Sequence, residues 1–314
     1  MGRDLADNFD AARGVFEEAD DALGMSLSKM CFEGSAADLQ LTENTQPALL
    51  AVSVAALRAA QSEGLPLPQI VAGHSLGEYS ALVCAGAIEF QTAVRLVRQR
   101  GRYMQEAVPA GVGAMAAVLG ASAEMVAAAC REAERYETEE SEVCAPANIN
   151  SATQVVIAGH TAAVERATLI LREGAAQQGT RVKTIRLPVS APFHCSLMLP
   201  AQERLEKDLH ETDFADLETP LINNVAARVV RTGDEARAGL IEQVSASVHW
   251  YESMTELGTR GFRTFVEIGA GKVLSGLVKQ IVTGAECYQV ETSASLAATI
   301  KGLETPRAEI GDAF

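Results

Sequence analysis

The sequence predicts an α/β chain. A mostly parallel sheet is covered by helices, and a β-α-β-β-α-β unit is inserted into it. Three observations carry this. Strand-like and helix-like stretches alternate along most of the chain. A Gly-x-Ser-x-Gly pentapeptide at 73–77 stands between a strand pattern and a helix pattern. Between 111 and 188 the order changes, and two strands follow one another across a tight turn. The boundaries follow: a large unit of 1–110 and 189–314, and a small subdomain of 111–188.

The elements are justified in order. Thr45-Gln46-Pro47 opens a helix through 49–60 that ends at Gly64, with proline in the first turn, where a missing N–H costs little. Residues 70–72 read as a short buried strand, Gly73 and Gly77 flank a turn, and a helix follows to about Ala85. A second helix spans about 90–107. In the inserted unit, 114–119 is a strand, Ser122 caps a helix to about Arg135, and the acidic run 132–142 is a solvated helix end and loop. Strands at 143–149 and 154–158 meet at Asn150-Ser151, Thr161 caps a helix to about Gln178, and 181–189 is the last strand. Beyond it come a helix opened by Pro200, a strand at 221–225, helices at 234–246 and 251–257, and a strand at 262–268. A turn at 269–271, a helix at 273–282 and a strand at 287–290 complete the pattern.

Composition narrows the function. The 314 residues are 48% hydrophobic and 21% charged, which suits a folded chain and excludes disorder and collagen. The 26 Lys and Arg against 41 Asp and Glu leave a net charge of −15, a field that repels nucleic acid and anionic membranes. No stretch reaches the roughly 18 apolar residues of a membrane span. The start, Met1-Gly2-Arg3-Asp4, has no apolar run behind it and is not read as a signal peptide; Ala6 stands where myristoylation needs Ser or Thr. Six scattered cysteines without a C-x-x-C pair read as reduced thiols in a cytoplasmic protein, and five dispersed histidines suggest no metal site. No cofactor and a monomeric chain are expected.

The chemistry centres on Gly73-His74-Ser75-Leu76-Gly77. Its glycines permit a sharp turn that presents Ser75, and the Leu76 N–H at the following helix start can donate to an oxyanion. A serine nucleophile needs a base. His74 adjoins Ser75 but leaves the backbone in another direction. His194, in Pro188-Val189-Ser190-Ala191-Pro192-Phe193-His194-Cys195, sits on a stretch restricted by two prolines and is the candidate base. Arg100 falls on the apolar stripe of Phe90, Ala93, Val97, Met104 and Ala107. A buried guanidinium needs a partner, either an internal Asp or Glu or a substrate carboxylate. Gly269-Ala270-Gly271-Lys272 lacks the full phosphate-loop spacing and reads as a tight turn.

These residues resemble the malonyl-CoA:acyl carrier protein transacylase family over nearly the whole chain. Gly73-His74-Ser75-Leu76-Gly77-Glu78 is more specific than the bare pentapeptide. Thr45-Gln46-Pro47, Arg100-Gly101, Phe193-His194, Asn223-Asn224-Val225 and Glu267-Ile268-Gly269-Ala270-Gly271-Lys272 also match. The resemblance implies a hydrolase-like α/β domain with a ferredoxin-like insertion. It implies ping-pong transfer of malonyl from malonyl-CoA to acyl carrier protein, with Ser75 as nucleophile and His194 as base. Arg100 would clamp the malonyl carboxylate, Leu76 would supply an oxyanion donor, and the Gln243 carbonyl would orient the histidine. His74 is counted with the substrate-binding residues. Phe193 before His194 resembles malonyl-using members. Docking of the acidic carrier protein would need a local basic cluster, for which Lys272 and Lys279 are candidates.

One departure stands out. The family begins with a strand and G-Q-G-S-Q, whose glutamine supplies a second oxyanion donor, and Met1-Gly2 aligns after that motif. The expectation is an unpaired strand edge beside the nucleophile strand, and poor solubility and activity of the chain as written. A serine hydrolase or thioesterase is the alternative function, although Arg100 argues against it, and a non-catalytic binding protein is the third.

Overall fold

The computed structural model describes residues 1–109, 111–134, 142–189 and 191–304. The end of the helix read to Arg135, most of the acidic run, Ser190 and the last ten positions of the chain lie outside the described residues.

The chain opens with helices absent from the sequence-based reading: α1 (Arg3–Asn8), α2 (Asp10–Leu23), α3 (Leu27–Glu33) and α4 (Ala36–Gln40). α2 buries Ala12, Val15, Phe16 and Ala19 along one stripe. α5 (Thr42–Ser62) begins before Thr45, so Pro47 lies inside it rather than in its first turn. The strand β1 (Val71–Ala72) leads into α6 (Gly77–Cys84), and α7 (Phe90–Glu106) packs across α5. Gly101 permits that approach, because a Cβ there would come within 2.5 Å of the Thr42 carbonyl oxygen.

The inserted stretch runs β2 (Gly113–Leu119), α8 (Ala123–Glu134), β3 (Cys144–Ser151), β4 (Gln154–His160), α9 (Thr161–Gln177) and β5 (Lys183–Arg186). Its four strands form one antiparallel sheet in the order β3-β4-β2-β5. The β3–β4 turn falls at Ala152-Thr153, two residues later than expected, and β5 is shorter than 181–189. Ser122 caps α8 through the Met125 N–H at 3.3 Å. Thr161 is the first residue of α9 and not its cap; its hydroxyl donates to the Gly111 and Val112 carbonyls. One face of the sheet buries Val118, Val155 and Ile157 against α8 and α9. The other face places Met115, Val156 and Ala158 against Cys195 and Phe193, the neighbours of His194. β3 is also tied to Val248 by the Ile149 N–H to the Val248 carbonyl and the Val248 N–H to the Ala147 carbonyl, both at 2.9 Å.

A short 3-10 helix (Ser196–Met198) precedes α10 (Leu199–His210), β6 (Leu221–Ile222), β7 (Val229–Val230) and α11 (Gly233–Gln243). A capping box between Thr232 and Glu235 starts α11 and so sets where Gln243, its last residue, lies. Then follow α12 (Trp250–Thr259), β8 (Thr264–Ile268), α13 (Val273–Ile281), β9 (Glu286–Val290) and α14 (Ser293–Glu304).

The expected mostly parallel sheet is realised as small mixed pieces. β1 pairs in parallel with β6, β6 pairs antiparallel with β7, and β8 pairs in parallel with β9. Among the described residues, β1 and β8 each keep one unpaired edge, and both strands line one cleft of about 590 Å³ together with Leu49, Trp250 and Met254. The strand that carries the Ser75 turn, β1, is thus itself an edge strand among the described residues. No helix of the described residues is long and apolar enough to cross a membrane.

Candidate active site

The turn between β1 and α6 is tight and strained. Ser75 has φ 51°, a left-handed backbone that non-glycine residues seldom adopt. A Cβ at Gly73 would lie 1.9 Å from the Gly77 carbonyl group, so only glycine fits there, whereas Gly77 itself faces open space. Side chains distant in sequence hold the turn. The Ser75 N–H donates to Asn224 Oδ1 at 2.6 Å, Asn224 Nδ2 donates to the Gly73 carbonyl at 2.7 Å, and Gln243 Nε2 donates to the Ser75 carbonyl at 3.1 Å. Leu76 is the N-cap of α6, and its N–H makes no hydrogen bond among the described residues. That leaves a donor one residue beyond the serine hydroxyl.

His194 meets Ser75 across 119 residues of sequence. Its Nε2 lies 2.7 Å from Ser75 Oγ, and its Nδ1 lies 2.9 Å from the Gln243 carbonyl oxygen. A carbonyl only accepts, so Nδ1 carries the proton and Nε2 offers a lone pair to the serine hydroxyl. Burial, with the nearby Arg100 charge, pushes the imidazole pKa down to about 3. The ring is therefore neutral near pH 7. His194 also has a positive φ, 61°, and is held between Phe193 and Cys195, which pack on the small sheet.

Arg100 is 2% exposed. Its Nη1 donates to Gln46 Oε1 at 2.7 Å, and its Nη2 to Gln243 Oε1 at 2.9 Å and to Ser75 Oγ at 3.2 Å. The guanidinium lies 5.7 Å from the Tyr79 ring centroid. Among the described residues no carboxylate is within ion-pair distance of it, and Nε is buried without a partner. The nearest acid, Glu78, reaches it through Gln243: Glu78 Oε2 accepts from Gln243 Nε2 at 2.7 Å and from the Asn224 N–H at 3.2 Å. Burial pushes the Glu78 carboxyl up to about 7.

Ser75, Leu76, Arg100, His194 and Gln243 thus converge. His74 does not join them. Its Nε2 lies 2.8 Å from Asn150 Oδ1 and its ring 5.6 Å from that of Trp250, which ties the turn to β3. Burial lowers its pKa. Glu78, Asn224 and Gln46 were missed as site residues, although each lies in a segment that carried the resemblance. At the 269–272 turn, the Glu267 carboxylate accepts from the Leu274 and Ser275 N–H groups at 3.1 and 2.7 Å, so an internal acid already occupies the start of α13. No group of His, Cys, Asp and Glu among the described residues could hold a metal ion.

A serine activated by a neutral histidine, beside a free amide donor, is equipped for acyl transfer. The chain belongs to the acyl transferase domain family, whose match covers residues 1–307. Within it, the chain is 46% identical over 281 residues to the malonyl CoA-acyl carrier protein transacylase of Bacillus subtilis strain 168, covering 90% of this chain and 86% of that protein. It is 43% identical over 301 residues to the transacylase of the same name from Escherichia coli K12, covering 96% of this chain and 94% of that one. The crystal structure of an acyl carrier protein S-malonyltransferase from Vibrio cholerae superposes with a TM-score of 0.89 at 44% identity, over 95% of this chain and 94% of that one. A malonyl-transacylase in complex with a type II polyketide acyl-carrier protein superposes with the same score at 40% identity, over 96% and 94%.

Proposed function

We infer that this protein moves malonyl from malonyl-CoA to the phosphopantetheine thiol of an acyl carrier protein through a malonyl ester on Ser75. The observation that carries the reading is Arg100, a buried cation 3.2 Å from the nucleophilic oxygen with no carboxylate of its own. A malonyl group esterified to Ser75 brings its free carboxylate to that cation. The family and the named relatives support the same substrate pair.

The chemistry follows from the geometry. Ser75 Oγ attacks the thioester carbonyl carbon while His194 Nε2 takes the hydroxyl proton. The Leu76 N–H faces the developing oxyanion. Collapse breaks the carbon–sulfur bond, and His194 returns the proton to the departing coenzyme A thiolate. The carrier thiol then enters, gives its proton to His194, takes the acyl group, and leaves Ser75 reprotonated. The Gln243 carbonyl stabilises the protonated imidazole, so a carboxylate third member is not required. A carboxylate paired with Arg100 also offsets one of the causes that keep His194 weakly basic. In this reading residues 1–110 and 189–314 form the hydrolase-like unit, residues 111–188 are the ferredoxin-like insertion, and Lys272 and Lys279, both exposed, face the carrier protein.

The test is intact-mass measurement after mixing with malonyl-CoA, then with holo acyl carrier protein. A malonyl adduct on Ser75 that passes to the carrier is expected, and Ser75→Ala should carry none. Rapid loss of the adduct to water would favour a hydrolase, and label on the Ser75→Ala protein would remove Ser75 as nucleophile.

A further inference from the structure

Gln243 is bonded in three directions. Its carbonyl oxygen holds His194, its Oε1 holds Arg100, and its Nε2 donates to the Ser75 carbonyl, to Glu78 and, at 3.4 Å, to Asn224 Oδ1. The side-chain bonds depend on which end of the amide faces which neighbour. Reversed, the amide would set Oε1 against three acceptors, Glu78 Oε2, the Ser75 carbonyl and Asn224 Oδ1, and its NH2 group against the Arg100 donors. The shortest bond opposing reversal is the one from Nε2 to Glu78 Oε2, at 2.7 Å.

Glu78 is 1% exposed and sits in the first turn of α6, three residues after Ser75. Its Oε2 also accepts the Asn224 N–H, and Asn224 in turn holds the Ser75 N–H and the Gly73 carbonyl. Its Oε1 is buried and makes no hydrogen bond among the described residues. Every bond of this carboxyl therefore runs through one oxygen, and that oxygen acts as an acceptor.

We propose that Glu78 is a positioning residue: as a fixed acceptor it locks the Gln243 amide, which aims the Arg100 guanidinium at the acyl group on Ser75, and so it sets the preference for malonyl over a neutral acyl group. The proposal rests on the reading of Arg100 as the malonyl clamp. It requires the acceptor position, not the negative charge. That requirement separates two conservative variants. In Glu78→Gln the amide oxygen takes the place of Oε2, since both groups facing it donate, and the charge is lost. In Glu78→Asp the charge stays and the acceptor withdraws by one methylene, about 1.5 Å.

The experiment measures single-turnover acylation of Ser75 by malonyl-CoA and by acetyl-CoA in the 314-residue chain, and compares the ratio of the two rates. Glu78→Gln should keep the ratio within about threefold of wild type. Glu78→Asp should lower it about tenfold, the worth of one directed hydrogen bond, with malonyl transfer falling by that much more than acetyl transfer. A wild-type ratio in Glu78→Asp overturns the proposal. So does a ratio that collapses in Glu78→Gln, which would assign the effect to charge, or an equal slowing of both substrates, which would mean loosened packing. Arg100→Ala is measured alongside. If it too keeps the wild-type ratio, the clamp reading itself has failed; if it loses the ratio while Glu78→Asp keeps it, only the role of Glu78 has.

Discussion

The core of the small sheet and the cluster around Ser75 are both buried, yet they are held in opposite ways. Val118, Val155 and Ile157 are closed from water by apolar neighbours on α8 and α9. Their attraction is non-directional and proportional to area. Around Ser75 the closed-off groups are Arg100, His194, Glu78, Asn224 and Gln243, each placed by hydrogen bonds of defined direction. A change in the first region should cost stability in proportion to the volume lost. A change in the second should cost chemistry out of proportion to stability, because every group there holds another at its working distance. The Ser75 cluster is also where the backbone is strained, at Ser75 and His194. Chemistry is thus concentrated where local structure is least favourable, and the apolar regions around it carry the stability.

The sharpest break of this contrast is at Arg100. Arg100→Ala should lower malonyl transfer more than about a hundredfold, since unpairing a buried charge costs about 3–5 kcal/mol, while acetyl transfer holds or improves. Parallel assays with the two coenzyme A esters check it. Equal losses would place Arg100 among the structural groups instead. On the other side of the comparison, Ile157→Ala in the small sheet should destabilise the chain by about 2–5 kcal/mol, read as a lower Tm, while kcat per folded molecule changes less than about twofold. A large fall in kcat at unchanged Tm would show that the small sheet positions His194 more delicately than apolar packing suggests.

The smallest effect concerns pH. The neutral form of an imidazole held near 3 persists down to about pH 4, so lowering the pH from 8 to 5 should not titrate His194 in the free enzyme. An unperturbed histidine would lose activity below about 6.5, tenfold for each further unit. A kcat/KM profile for malonyl-CoA therefore should show no drop near 6.5 that is due to His194. The Glu78 carboxyl, pushed up to about 7, titrates within the same range. Repeating the profile in Glu78→Gln removes that contribution, and a drop that survives the substitution would belong to His194.

Legibility followed range along the chain. Gly73, Ser75 and the helix after them form one local unit, and the burial of Arg100 follows from the period of α7, so both could be read from neighbouring residues. His194 could be nominated but not joined to Ser75, since 119 residues separate them. The bonds from Gln243 to Ser75 and Glu78 span 168 and 165 residues, and no local pattern reports them. β7, two residues long, and the helices before α5 left no signal strong enough to be read.

What the sequence determined by itself is therefore the local chemistry: a sharp turn that exposes a serine, an arginine on an apolar helix face, and the alternation that makes an α/β chain. Those depend on φ and ψ preferences and on periods of a few residues, which neighbours along the chain settle among themselves. Only the tertiary structure decided that His194 and not His74 meets Ser75. It also decided that Arg100 faces amide oxygens and the serine rather than a carboxylate, and that β1 and β8, each with one unpaired edge among the described residues, line one cleft. Such pairings depend on how distant segments pack, and a hydrogen bond forms only when that packing brings donor and acceptor to about 3 Å.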